Sequence, residues 1–379
     1  MNTRILYDHQ AFTMQKYGGV SRCFVELFKN LPNGIEASIA LYKSDNVYVK
    51  DLMKVRSQET VIDRLLNNHD FKGAWRLQLL LKQFRESRVD KNEKYSIERL
   101  KKGEYDIFHP TFFNDYYLPY LNGKPFVLTI HDMTPELYPQ YYKANDFQIV
   151  MKRKLAPMAS AIIAVSESTK QDIIRILGIP EEKIHVVYHG CSLTIPHNCH
   201  SLFSFPYILY IGDRRGYKNF IPFVKQITPV LKQNKDLHVV CTGSPFTINE
   251  VRLFDELGIK RQFINHWANS DTDLYALYHF AKCFVYPSDY EGFGIPILEA
   301  YKADCPVLLN RASCFPEIAK DAAIFFDINS TNELSEQLRM VLTMNAKEKE
   351  DLLSKQRSRL ADFSWGKSAE QLSQIYKSI

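Results

Sequence analysis

Two carboxylates flank a glycine-containing turn in Tyr290-Glu291-Gly292-Phe293-Gly294-Ile295-Pro296-Ile297-Leu298-Glu299-Ala300. The turn follows Cys283 to Tyr286, an apolar run that reads as a short buried strand. Glu291 therefore falls in a loop at a strand's carboxyl end. Pro296 suits the first turn of a helix, where its missing N–H is not needed. Glu299 lies early in that helix. The start of a helix offers free N–H groups and positive dipole, so it can hold a phosphate. Carboxylates repel phosphate, so Glu291 and Glu299 are better suited to grip sugar hydroxyls. The local chemistry is that of a nucleotide-sugar site.

Four other groups fall at the ends of strand-like runs, where open α/β sheets place their ligands. Tyr17-Gly18-Gly19-Val20-Ser21-Arg22 opens an amphipathic helix, and its glycines let backbone come close to a phosphate or sugar. His131-Asp132 follows Phe126 to Ile130, and a histidine there can meet a substrate hydroxyl. Tyr210-Ile211-Gly212-Asp213-Arg214-Arg215-Gly216-Tyr217-Lys218-Asn219-Phe220 interleaves cations with glycines and aromatics. Arg214 offers a planar fork and Lys218 a point charge, which together suit a leaving diphosphate. Ser166, Glu167 and Ser168 follow Ala161 to Val165. Helix capping is their first reading, with a polar role at a cleft beside it.

Positioning these groups requires strands that alternate with helices. Strand-like runs span Arg4 to Tyr7, Ala37 to Tyr42, Asp106 to His109, Phe126 to Ile130, Ala161 to Val165 and Ile184 to Tyr188. A second set spans Tyr207 to Ile211, Leu237 to Cys241, Gln262 to Ile264, Cys283 to Tyr286, Pro306 to Leu309 and Ala323 to Phe326. The alternation predicts an α/β protein with parallel sheets covered on both faces. Two comparable sets predict two Rossmann-like domains in tandem. Residues 192–205 read as the linker between them. Ser168 with Gln171 resembles a capping box, and Gly178 ends that helix.

Bulk properties agree. At 379 residues the chain exceeds one ordinary core. With 45% apolar and 24% charged residues it has a globular composition. A net charge of +5 is too mild to argue for nucleic acid. Seven cysteines without a repeated spacing suggest reduced thiols in a cytoplasm. The N-terminus lacks the apolar core of a signal peptide, and no apolar run is long enough to span a bilayer. Any membrane contact is then expected to be peripheral. Phe71 to Lys102 is basic and amphipathic. A solvated helix is its simpler reading, and a surface for anionic lipid or a lipid-linked acceptor is the other.

Two patterns invite a metal. Asp271-Thr272-Asp273 looks like a motif that binds a diphosphate through a divalent cation, but it precedes a helix and N-capping explains it more cheaply. His189, Cys191, His197, Cys199 and His200 cluster at spacings that match no standard zinc pattern. No metal and no cofactor is expected.

Together these residues resemble the retaining glycosyltransferases of family 4, which have the GT-B architecture of two facing Rossmann-like domains. The resemblance covers nearly the whole chain. Its most specific part is Glu291 to Glu299, which looks like the family's Glu-x7-Glu signature. Gly18-Gly19-Val20, His131-Asp132, Val165-Ser166-Glu167, Tyr210 to Asn219, Pro316-Glu317 and Phe363-Ser364-Trp365 support it. The resemblance implies an acceptor-binding domain over residues 1–195, completed by a last helix at about 363–379, and a nucleotide-sugar domain over 203–362.

It also implies roles. Glu291 would contact the donor sugar and Glu299 the ribose. Gly292, Phe293 and Gly294 would present N–H groups to sugar and phosphate. Arg214 and Lys218 would hold the diphosphate, with Arg215 the competitor of Arg214. His131 would sit near the reacting centre. Gly18 and Gly19 would line the phosphate side, with Ser166 and Gly212 also donor-facing. The base would lie near His266, Trp267 and Ala268. Much of the family has Arg-Lys-Asn where this chain has Tyr217-Lys218-Asn219.

The implied reaction is metal-independent transfer, with retention, from a nucleoside-diphosphate sugar to a hydroxyl of a surface polysaccharide or lipid-linked oligosaccharide. The wording of Gly216 to Phe220 leans towards GDP-mannose. The expected place is the cytoplasm or the inner face of the membrane. Two rival readings are a nucleotide-sugar epimerase and an inactive nucleotide-sugar-binding partner of a polysaccharide assembly complex.

Overall fold

The structure, a computed structural model, describes residues 2–55 and 90–379. Among the described residues twelve strands form two parallel arrays. In the first, β1 (Thr3–Tyr7), β2 (Ile35–Ile39) and β3 (Ile107–His109) pair in the order β2-β1-β3, and β4 (Val127–Ile130), β5 (Ala161–Ala164) and β6 (Ile184–Val186) pair in the order β4-β5-β6. A single parallel bridge between Phe108 and Phe126 joins the two triplets. The second array is one six-stranded sheet. Its strands are β7 (Tyr207–Ile211), β8 (His238–Thr242), β9 (Phe263–Asn265), β10 (Cys283–Tyr286), β11 (Val307–Asn310) and β12 (Ile324–Phe326), in the order β12-β11-β10-β7-β8-β9. Every pairing is parallel.

The inner strands are apolar along their whole length because helices cover both faces. β10 is Cys283-Phe284-Val285-Tyr286 and β5 is Ala161-Ile162-Ile163-Ala164, and every residue of both is buried. β2 is an edge strand and differs from the sequence expectation. It runs over Ile35–Ile39 rather than Ala37 to Tyr42, so it gains Ile35 and the polar Glu36 and loses Ala40, Leu41 and Tyr42. An edge strand has one partner and tolerates alternation, so the more apolar run downstream misled the reading.

Seven helices position the site. They are α1 (Gly19–Lys29), α2 (Glu167–Leu177), α3 (Phe220–Gln233), α4 (Ile248–Glu256), α5 (Asp271–His279), α6 (Ile295–Lys302) and α7 (Trp365–Ser378). Although last in the chain, α7 packs on the first array. Trp365, Leu372, Ile375 and Tyr376 share a core with Ile5, Tyr7, Phe24 and Val25. Tyr376 is fixed there by a 2.6 Å contact between its hydroxyl and that of Tyr7, and by another of 2.6 Å to His109 Nδ1.

The basic stretch from Phe71 lies outside the described residues as far as residue 89. Its remainder forms a helix, Lys91–Lys102, with Arg99, Lys101 and Lys102 in the last turn. Among the described residues no helix is long and apolar enough to cross a membrane.

Candidate active site

In the second sheet β7, β8 and β9 are laid down in one direction and β10, β11 and β12 in the other. Loops leaving the carboxyl ends of β7 and β10 therefore diverge and open a crevice. The loop after β7 carries Lys218 and the loop after β10 carries Glu291. They are 73 positions apart in the chain, yet Lys218 Nζ donates to Glu291 Oε1 at 2.5 Å. The two side chains are only 16% and 14% exposed.

Backbone contacts lock the two loops together. Asp289 N–H donates to the Tyr217 carbonyl at 2.8 Å, and Asn219 Nδ2 donates to the Pro287 carbonyl at 3.1 Å. Asn219 takes a φ of 54°, which lets the Gly216–Lys218 turn enter α3 directly. Ser313 Oγ donates to the Glu291 carbonyl at 2.7 Å from the other side.

Arg214, four residues before Lys218, goes elsewhere. Its Nε donates to Glu250 Oε1 at 2.8 Å, and its Nη2 donates to the carbonyls of Ser244 and Pro245 at 2.8 Å each. The guanidinium also lies 5.0 Å from the ring centre of Phe246. Glu250 in turn closes the capping box of α4 with Thr247. Its carboxyl sits below the ordinary range because the Arg214 hydrogen bond and the Thr247 bonds outweigh the opposing effect of burial, itself the largest single influence. Arg214, Gly212 and the exposed Trp267 line a cavity of about 800 Å³ beside the crevice. Arg215 points to solvent and pairs with Asp213.

Gly292 is where the two arrays meet. A Cβ on it would fall 1.8 Å from the His131 carbonyl oxygen, so no side chain fits. Its own carbonyl accepts from Ser166 Oγ at 2.6 Å and from Thr169 Oγ1 at 3.2 Å. His131 thus meets Gly292 through its backbone. The His131 ring lies against Phe24 and His189, and burial pushes its pKa down to about 4, so it is neutral at pH 7. Its buried Nε2 has no hydrogen-bond partner among the described residues. Tyr290 also crosses the boundary: its hydroxyl accepts from Met133 N–H at 3.1 Å, and its ring joins the first array's core.

Ser166, not Ser168, caps α2, because its hydroxyl reaches Thr169 N–H at 3.0 Å. The Ser168 N–H, with that of Glu167, binds instead the Glu317 carboxylate from the second domain, at 3.1 and 2.7 Å. Capping of α5 is likewise displaced. Ser270 caps it, and Asp271 and Asp273 lie within its first turn. Among the described residues no group of three His, Cys, Asp or Glu could hold a metal ion.

Phe293 is buried against His189, Tyr188 and Phe363. Gly294 starts α6 at a φ of 88°, which favours glycine. Glu299, on α6, is nearly buried and accepts from the Tyr278 hydroxyl at 3.1 Å. Burial pushes its carboxyl up, partly offset by Arg22 and by the Tyr278 bond. Gly18 precedes α1 and Gly19 begins it. A Cβ on Gly19 would touch nothing within 4 Å, so open space faces that turn.

The sequence-derived residues therefore fall into three groups: Lys218 with Glu291, Gly292, His131 and Ser166; Gly212 with Arg214 and Trp267; and Glu299 near the α1 turn. Arg22 was overlooked. It donates to Asp271 Oδ2 at 2.9 Å, from α1 to α5, and joins the third group across the cleft. Its place one turn after Gly18-Gly19 was the available signal.

Comparison with known proteins agrees with this arrangement. Residues 17–194 match the model for Glycosyltransferase Family 4, and residues 204–359 match that for Glycosyl transferases group 1. The chain is 27% identical over 278 residues to O-antigen chain mannosyltransferase B of Escherichia coli, covering 69% of this chain and 72% of that one. It is 26% identical over 210 residues to O-antigen chain mannosyltransferase RfbU of Salmonella typhimurium, covering 55% and 58%. The fold matches Anabaena HepE, solved with UDP and glucose, at a TM-score of 0.72 and 15% identity over the whole of both chains. With both halves matched, the chain belongs to the family 4, group 1 glycosyltransferases of GT-B fold and is a transferase enzyme.

Proposed function

We propose that this chain transfers a mannosyl residue from GDP-mannose, with retention and without a metal ion, to a hydroxyl of a growing surface glycan or lipid-linked oligosaccharide. The observation that carries the reading is the Lys218–Glu291 pair at the β7/β10 crevice. A cation and a carboxylate in contact match the two ends of a nucleotide sugar. The donor's diphosphate would take Lys218, and its sugar hydroxyls would take Glu291. The mannosyl assignment is supported by the names of the two O-antigen relatives.

As the bond from the anomeric carbon to the diphosphate oxygen lengthens, negative charge grows on the leaving group. Lys218 would stabilise charge that is greater in the transition state than in the bound donor, which is what accelerates a reaction. Arg214, paired with Glu250, holds the cavity rim in shape. The cavity with Trp267 suits the base. Approach of the two domains would exclude water and limit donor hydrolysis. The cytoplasm, or the inner face of a membrane, is where such donors and acceptors would meet.

The test is purified protein with a panel of GDP- and UDP-sugars, with and without a chelator, first by thermal shift and then with glycan acceptors. Stabilisation by GDP-mannose and chelator-insensitive transfer that keeps the anomeric configuration are expected. An epimerised nucleotide sugar as the product would overturn the reading, as would transfer from a UDP-sugar alone.

A further inference from the structure

One peptide unit connects a buried cation of the first domain to the loop that carries Glu291. Lys152, on the helix Phe147–Met158, is fully buried. Its Nζ pairs at 2.8 Å with the carboxylate of Glu136, which is equally withdrawn from water on the short helix Thr134–Leu137. The same Nζ donates to the Asp132 carbonyl at 3.0 Å. Its other close neighbours are Met133 Sδ at 4.0 Å and the Phe113 ring, 5.8 Å away, and neither is a strong acceptor. The Asp132–Met133 peptide that gives its carbonyl to Lys152 gives its N–H to the Tyr290 hydroxyl, at 3.1 Å. Tyr290 is buried and directly precedes Glu291.

Stability alone is a poor account of such a pair. Taking an ammonium and a carboxylate out of water costs much of what their attraction returns, and two apolar side chains of similar volume often serve as well. What apolar side chains cannot supply is a charged donor to the Asp132 carbonyl. A charged donor makes the stronger hydrogen bond, and polarising one end of an amide strengthens the bond made by its other end. We propose that Lys152 is a positioning residue for Glu291: by holding the Asp132 carbonyl it orients and polarises the Met133 N–H, which fixes Tyr290 and with it the start of the Glu291 loop. Glu136 is the counter-charge that lets the ammonium stay in a dry site. Ser313 steadies the same loop from the other side, so losing Lys152 loosens Glu291 without releasing it. This rests on the donor reading given above, in which Glu291 grips the sugar.

The experiment compares wild type with Lys152→Met, the apolar pair Lys152→Met/Glu136→Met, Tyr290→Phe, and the apolar pair combined with Tyr290→Phe. Melting temperature, calorimetric GDP affinity and kcat/KM for GDP release from GDP-mannose are measured on each. Lys152→Met strands Glu136 and is expected to melt lower. The apolar pair should regain the melting temperature, yet its kcat/KM should stay about ten- to a hundredfold below wild type, as for a small misplacement of a substrate-positioning group. Its GDP affinity should be unchanged, because the cavity with Arg214 and Trp267 is untouched. Tyr290→Phe should show the same kind of loss, and the combined variant little more than either. Wild-type kcat/KM in the apolar pair overturns the proposal, since the charges would then serve stability only. Losses that add in full overturn it too, since Lys152 would not act through Tyr290. If neither Lys152 variant folds, Tyr290→Phe carries the test, and unchanged kcat/KM there overturns the proposal. A wild-type protein that neither binds GDP nor releases it from GDP-mannose overturns the donor reading instead.

Discussion

Arg214 and Lys218 leave one turn four residues apart, and each binds a glutamate, but the two pairs do different work. Among the described residues Lys218 has one side-chain hydrogen-bond partner, Glu291, in the crevice, and its ammonium lies 5.1 Å from the Tyr217 ring centre. Arg214 has three kinds of partner: a carboxylate that also caps α4, two loop carbonyls and two aromatic faces. An ammonium on a flexible stem can exchange Glu291 for a phosphate. A guanidinium held at Nε and Nη2 cannot leave without stranding a nearly buried carboxylate and two carbonyls. Two cations that look equivalent in the sequence thus divide into a movable charge and a fixed one.

The largest expected effect separates them through stability. Arg214→Ala leaves Glu250 buried beside an empty space and should cost about 3–5 kcal/mol in denaturant unfolding. Unchanged stability would mean that Arg214 is as free as Lys218. Next, Lys218→Ala should lower kcat by roughly a hundred- to thousand-fold, about 2.7–4 kcal/mol, with little change in melting temperature. A fall in KM-dependent binding alone, with kcat intact, would move Lys218 out of the transition state.

Thr247→Ala probes the same scaffold more gently. Loss of the cap should cost about 1 kcal/mol and leave donor affinity nearly unchanged, because Arg214 keeps Glu250 in place. The smallest effect is a pH dependence at Glu299. Burial raises its carboxyl in the folded state, so in the window just above the ordinary carboxylate range the native protein binds more proton there than the unfolded chain. Stability of the ligand-free protein should therefore rise as pH falls through that window, down to the ordinary carboxylate range, while donor affinity moves the opposite way. Glu299→Gln should abolish both trends in pH-dependent melting and nucleotide titration.

Much of this was legible in the residues. All twelve strands lie where apolar runs between turn residues placed them, with β2 displaced towards its polar start. Glu291, Lys218 and Gly292 were singled out by type and spacing. The capping read over Ser166 to Ser168 falls on Ser166, two residues before the box expected at Ser168 and Gln171, and that read at Asp271 falls on Ser270, because neighbouring Ser and Asp residues compete for one cap and local sequence does not rank them. The role of the Asp271 carboxylate was missed with that of Arg22, since its partner is 249 positions away.

Local order in this protein follows from local chemistry. Strand runs, glycine turns and the Pro296 helix start are consequences of backbone sterics and side-chain polarity over a few residues, and these need no partner to be read. What neighbours what is a different matter. Lys218 meets Glu291 because β7 and β10 pair in the sheet, and Gly292 must be glycine because the His131 carbonyl presses on it from the other domain. Arg214 is withdrawn from the crevice because α4 needs its glutamate held. These are contacts across long sequence separations, set by sheet order and domain packing, and no window along the chain contains them.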